Sequence, residues 1–172
     1  MPFECADPQA DESPLAGETA GATALRLAEA KARLVALRFP QALVIGADQV
    51  ASCDGRRLDK PGNHANAVRQ LTSMSGRSAL FDTAVVVFDA QSGKLGARLV
   101  GCTVTFRTLS APLIERYLRL EQPYDCAGSA KAEGLGIALI ERIETGDPTS
   151  LIGLPLIALT ELLADAGATV LG

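Results

Sequence analysis

The stretch Leu43-Val44-Ile45-Gly46-Ala47-Asp48-Gln49-Val50 decides the fold class. Three large apolar residues run into Gly46-Ala47 and then meet a carboxylate and an amide. A short apolar run bounded in this way reads as a buried strand whose polar end emerges at the edge of a sheet. In open α/β sheets ligands collect beyond the carboxyl ends of the strands. Asp48 is therefore the first candidate for chemistry, and an Asp that only makes a turn is its plain alternative.

On the N-terminal side, Ala24, Leu27, Ala28, Ala32, Leu34 and Leu37 recur at helical spacing from Thr23 to Arg38, and Pro40 stops the pattern. Lys31 falls inside this helix, where most lysines are solvated. Residues 1–22 carry Asp7, Asp11 and Glu12 among Gly, Pro and Ser and read as an acidic loop. On the C-terminal side, Asp54-Gly55 signals a hairpin whose second arm returns Leu58-Asp59-Lys60-Pro61 toward Asp48. Asn63 can cap a helix running to Met74, with Gly76 just past its end. Residues 78–89 and 97–107 are rich in β-branched side chains and predict an antiparallel hairpin across Gln91-Ser92-Gly93-Lys94. Ser110 and Pro112 open a helix carrying Leu113, Ile114, Tyr117 and Leu118.

The segment Cys126 to Gly136 combines Gly128, Gly134 and Gly136 with Lys131 and Glu133, and an apolar strand is expected over 137–143. Such a loop can wrap a ligand, although it is not a phosphate loop of the G-x-x-x-x-G-K-[ST] type. Gly146-Asp147-Pro148 reads as a turn. Leu154 to Ala166, ended by Gly167, reads as an almost wholly apolar core helix.

With 172 residues, 48% of them apolar and 21% charged, the chain is expected to fold as a single domain spanning 1–172. A net charge of -4, with no cluster of Lys and Arg among aromatics, argues against nucleic-acid binding. Four scattered cysteines and the lone His64 speak against zinc and against a disulfide framework. There is no run of 18 apolar residues and no secretory leader pattern, so no membrane role and a cytoplasmic location are expected. The polar inventory near the predicted strand ends is Asp48, Lys60, Lys131 and Glu133, joined by Asp11 and Glu12 if the first loop folds over. Carboxylates with lysines and no histidine are the parts of a magnesium-dependent phosphate-handling site.

Several runs carry a resemblance: Phe3-Glu4-Cys5 through Asp11-Glu12-Ser13-Pro14, Ile45 to Val50, Asp59-Lys60-Pro61, Cys126-Ala127-Gly128-Ser129 with Glu133-Gly134, and Asp147-Pro148 through Leu154-Pro155-Leu156. In order and over essentially the whole chain they resemble the Maf-like nucleotide pyrophosphatases, nearest to the YceF-type branch that acts on 7-methyl-GTP. The resemblance implies an α/β fold with an elongated mixed β-sheet flanked by helices, two lobes with a central cleft, and often a homodimer. It also implies hydrolysis of a nucleoside triphosphate, a small-molecule substrate, to the monophosphate and pyrophosphate with a divalent metal cation, Mg²⁺ or Mn²⁺. Carried over by position, Asp48 matches the proton acceptor, Gln49 and Glu133 the substrate-specificity positions, and Lys31 and Lys60 the phosphate-binding lysines. Glu12 matches the acidic residue of the first loop and, with Asp48, the metal site. A carboxylate such as Glu133 can accept both N1–H and the exocyclic amine of guanine.

Two departures accompany the match. Asp59 replaces the glycine of the family's Gly-Lys-Pro motif. Family members also carry a strand and a Ser-x-Ser-x-x-Arg phosphate motif ahead of Phe-Glu-Cys, whereas this sequence starts at Met1 just before it; relative to the family it is expected to be N-terminally truncated, through either a misassigned start or a genuine truncation. The two resulting readings are a 7-methyl-GTP pyrophosphatase and a noncatalytic nucleotide-binding protein that lost turnover with that motif.

Overall fold

A computed structural model describes residues 2–171. In chain order the helices and strands are α1 (Ala20–Ala36), β1 (Leu43–Cys53), β2 (Arg56–Leu58), α2 (His64–Met74), β3 (Ser78–Asp89), β4 (Leu95–Phe106), α3 (Ala111–Glu121), β5 (Ile140–Thr145) and α4 (Leu156–Asp165), with short 3₁₀ turns at Ala127–Ser129, Leu135–Leu139 and Pro148–Ile152. The fold is α/β, and the strands form one sheet in the order β2-β1-β3-β4-β5.

Turn chemistry sets the directions of two strand pairs. Asp54 (φ 50°) and Gly55 (φ 74°) both adopt the left-handed region that a two-residue hairpin turn demands, and β1 pairs antiparallel with β2 through Ala51–Leu58 and Cys53–Arg56. The Asp89 N–H donates to the Lys94 carbonyl and closes the β3–β4 hairpin. β4 and β5 are antiparallel, with an irregularity between Thr105 and Phe106. The Ala90 N–H donates to the Ala42 carbonyl, which sets the end of β3 beside the start of β1. The sheet is thus antiparallel among the described residues, where a mixed sheet is expected from the resemblance. The β1–β2 and β3–β4 links are short hairpins, which permit only antiparallel neighbours, since a parallel pair needs a crossover of about a dozen residues or more.

Two expected boundaries move, and one helix face differs. β1 does not end at Asp48 but continues to Cys53, so Asp48 and Gln49 lie within the strand. The last strand starts at Ile140, because residues 135–139 coil into a 3₁₀ turn, and Ile137 is exposed. The final helix is not core all round: Ala158, Leu159, Leu162 and Leu163 are buried, whereas Leu156 and Ile157 are exposed. In α1 Ala24, Ala28, Ala32 and Leu27 are buried as expected, while Leu34 and Leu37 face solvent.

The chain divides into two compact units: Met1–Gln49 with Asp82–Val100 and Asp147–Gly172, and Val50–Phe81 with Gly101–Gly146. A core of Val85, Val87, Ala158, Leu159, Leu162 and Leu163, flanked by Leu43 and Val100, lies in the first unit. Among the described residues no helix is long and apolar enough to cross a membrane.

Candidate active site

In the first unit, α1 and β1 touch backbone to side chain. A Cβ placed on Gly46 would lie 2.2 Å from the Ala28 carbonyl oxygen and 3.0 Å from the Ala32 Cβ, so the absence of a side chain there lets the helix rest on the strand. Its small-residue face of Ala24, Ala28 and Ala32 is fully buried. Lys31, one residue before Ala32, is thereby brought beside Asp48, two residues beyond Gly46. Its Nζ lies 2.6 Å from Asp48 Oδ1 and 2.6 Å from Glu12 Oε1.

The Lys31 and Asp48 side chains are only 18% and 10% exposed, and Glu12 is the open member at 52%. Burial alone would push the Lys31 ammonium toward its neutral form, but its hydrogen bonds to Asp48 and Glu12 prevail and hold its pKa above the ordinary lysine value. The site thus holds a fixed cation between two carboxylates, and the N-terminal loop folds back far enough to supply one of them.

Gln49, the next residue of β1, is held from below. Its Nε2 donates to Thr83 Oγ1 at 2.9 Å and to the carbonyls of Ser150 and Leu151 at 2.9 and 3.2 Å. Thr83 is fully buried and donates its own hydroxyl proton to the Ser150 carbonyl at 2.9 Å. Those carbonyls belong to the Pro148–Ile152 turn, which Asp147 organises. Its Oδ1 accepts from the Thr149 N–H and hydroxyl, and its Oδ2 accepts from the N–H groups of Ile157 and Ala158 at the start of α4.

In the second unit, Lys60 and Glu133 are both exposed. The segment before Lys60 is tied by Gln70, whose Nε2 donates to the Asp59 carbonyl at 2.7 Å and whose Oε1 accepts from Ser129 Oγ at 2.6 Å. The same side chain therefore braces the glycine-containing loop, where Gly128 and Ser129 both have positive φ. Further along, the Lys131 N–H donates to Tyr117 Oη, and Glu121 accepts from the Leu135 N–H. A Cβ on Gly136 would lie 2.4 Å from the Lys131 carbonyl oxygen, so this tight loop tolerates only glycine there. Burial pushes the Tyr117 hydroxyl up to about 12, which keeps it protonated. Burial likewise pushes Cys126 up to about 11, which suits a packed thiol and not a nucleophile. Lys131, the remaining candidate of the polar inventory, lies 3.6 Å from Asp125.

Sequence reasoning did not single out Thr83, Ser150 or Gln70. Each looks ordinary in its own segment, and only the tertiary partner gives it a role. In the sequence Asp147 reads as a turn residue, although the Asp-Pro pair also marks the N-cap it provides.

A helix laid on a strand, a lysine held between two carboxylates and an anchored amide beside them thus stand together in an α/β fold. The chain belongs to the Maf-like family, whose family model, described as Maf-like protein, matches residues 1–166. It is 55% identical over 172 residues to a protein of Albidiferax ferrireducens, covering 100% of this chain and 86% of that one. It is 56% identical over 171 residues to one of Methylobacillus flagellatus, with 99% and 89% covered. A protein of a Polaromonas species is 56% identical over 167 residues, with 97% and 76% covered. Each of these relatives is named 7-methyl-GTP pyrophosphatase.

Proposed function

We propose that the protein hydrolyses 7-methyl-GTP to 7-methyl-GMP and pyrophosphate, as the names of its relatives indicate. The observation that carries the reading is the Glu12–Lys31–Asp48 cluster beside the anchored Gln49. In this reading Asp48 accepts the proton of the attacking water, and Lys31 and Lys60 offset phosphate charge. Gln49 and Glu133 read the base. Cationic 7-methylguanine favours a carboxylate partner, and charged hydrogen bonds of this kind contribute about 1.5–3 kcal/mol.

Among the described residues no group of three or more His, Cys, Asp or Glu side chains is arranged to hold a metal by itself. The two hard carboxylates Glu12 and Asp48 nonetheless fit Mg²⁺ or Mn²⁺, because Mg²⁺ commonly takes one or two protein carboxylates and completes its shell with waters and substrate phosphates. A divalent cation there supplies neutralisation of the triphosphate oxygens. The reading includes a cytoplasmic setting, a single functional domain and a homodimer, the last open to sedimentation analysis.

The test is pyrophosphate release from 7-methyl-GTP with Mg²⁺, run beside a nucleotide-binding measurement on the same preparation. Release that stops on chelation is the expected result. Binding without release would favour a noncatalytic nucleotide-binding protein, and neither would overturn the nucleotide assignment.

A further inference from the structure

Both N–H bonds of the Gln49 amide are spent inside the protein. Three acceptors surround Nε2: Thr83 Oγ1, the Ser150 carbonyl and the Leu151 carbonyl, all within 3.2 Å. The Thr83 hydroxyl gives its only proton to Ser150 O, so toward Gln49 it can act solely as an acceptor. Turning the amide over would set Oε1 against two carbonyls and a hydroxyl with no proton between them. The orientation is thus dictated by the chemistry of the surroundings, and not by a choice between two similar atoms. Gln49 itself is only half-buried, whereas Thr83 and Ser150 are fully enclosed.

We infer that Thr83 is a positioning residue which, with the carbonyls of Ser150 and Leu151, fixes Gln49 so that it presents only its carbonyl oxygen to a nucleotide. A glutamine ordinarily recognises either a donor or an acceptor. Held this way it favours a base edge with adjacent N–H donors, as guanine has at N1 and its exocyclic amine, over uracil, whose single N3–H lies between two carbonyl acceptors. The inference rests on the proposed role of Gln49 in reading the base and adds the direction of that reading.

A double-mutant cycle on the intact protein tests it, using kcat/KM for 7-methyl-GTP and UTP in wild type, Thr83→Val, Thr83→Ser, Gln49→Ala and the Thr83→Val/Gln49→Ala pair. Thr83→Val should lower the preference for 7-methyl-GTP by about tenfold, mostly through KM, while Thr83→Ser stays within about twofold of wild type. In the Gln49→Ala background Thr83→Val should change the preference by less than about twofold, because its effect passes through the missing amide. Equal effects of Thr83→Val in both backgrounds, or none in either, would overturn the positioning role. An unchanged preference in Gln49→Ala would instead remove Gln49 from base reading. A second measurement needs neither turnover nor a buried substitution: in ¹⁵N spectra of the nucleotide-free wild type, both side-chain amide protons of Gln49, assigned by their loss in Gln49→Ala, should resist exchange with solvent. Rapid exchange of either proton overturns the inference.

Discussion

Lys31 sits between two carboxylates at equal distance, and their hydrogen bonds outweigh burial and hold its pKa above the ordinary lysine value. The Lys31 ammonium lies 2.6 Å from Asp48. Replacing Asp48 with Asn removes an acceptor for the water's proton without changing side-chain volume. Turnover should fall by about 10²–10⁴, the usual worth of a positioned base, with little change in melting temperature. Wild-type turnover in a folded Asp48→Asn variant would take this residue out of the mechanism. Lys31→Met poses the converse question. Without the cation, two neighbouring carboxylates repel and one of them takes up a proton more readily, so the acid limb of the kcat/KM profile should move toward neutral pH. An unmoved acid limb would show that Lys31 does not tune Asp48. From spacing alone Lys31 reads as solvated surface. The role proposed for it comes from the family resemblance, and its geometry from Gly46, whose consequence for a helix fifteen residues upstream no local pattern can announce.

At the scale of elements, the contact of α1 with β1 depends on small residues from both sides. A methyl group on Gly46 would lie 2.2 Å from a helix carbonyl, so Gly46→Ala has to push α1 outward. Overpacking of this kind typically costs about 1–3 kcal/mol. It should also pull Lys31 off Asp48, so activity should fall by more than the stability loss alone explains, and full activity in a stable Gly46→Ala protein would refute the packing argument. The Pro148–Ile152 turn and α4 share a different fastening. Asp147 is 3% exposed and accepts from both elements at once, so Asp147→Ala should destabilise by about 2–3 kcal/mol, readable in urea unfolding. A change under about 0.5 kcal/mol, the range of ordinary surface substitutions, would count against that fastening. Element types follow from local chemistry: Asn63 caps α2, Asp54-Gly55 makes its turn, and the β-branched runs become β3 and β4. Boundaries follow less well where tertiary packing decides. β1 outruns its polar residues because pairing with β2 continues to Cys53, and the 3₁₀ turn at Leu135–Leu139 delays β5 despite an apolar sequence suited to a strand.

Over the whole molecule, the balance of shifted carboxylates sets the response to pH. The Arg26 guanidinium pulls Glu18 down to about 2, helped by the Thr23 hydroxyl and the Leu15 N–H. Burial opposes ionisation of Asp147, but the Thr149 hydroxyl and the backbone donors of α4 outweigh it and hold the group below its ordinary 3.8. Hydrogen bonds from Ser13 and Ser92 lower Asp11 and Asp89 in the same way. A carboxylate whose native pKa is depressed stabilises the fold above its unfolded value, and that contribution is lost as pH falls through the native one. Stability should therefore hold through neutral pH and fall between about pH 4.5 and 2, the interval between the ordinary and the native Glu18 values. Glu18→Gln should make that fall shallower. Asp82 runs the other way, since burial alone raises it and its charge weakens the folded state at neutral pH. Asp82→Asn should accordingly raise the melting temperature at pH 7, and the gain should vanish at about pH 3, where the carboxyl is protonated in folded and unfolded chains alike. Melting curves of the three proteins across this range decide the matter. An equal gain from Asp82→Asn at both pH values would mean that its effect is packing, not charge. A flat acid limb in the wild type would show that the depressed carboxylates do not govern stability.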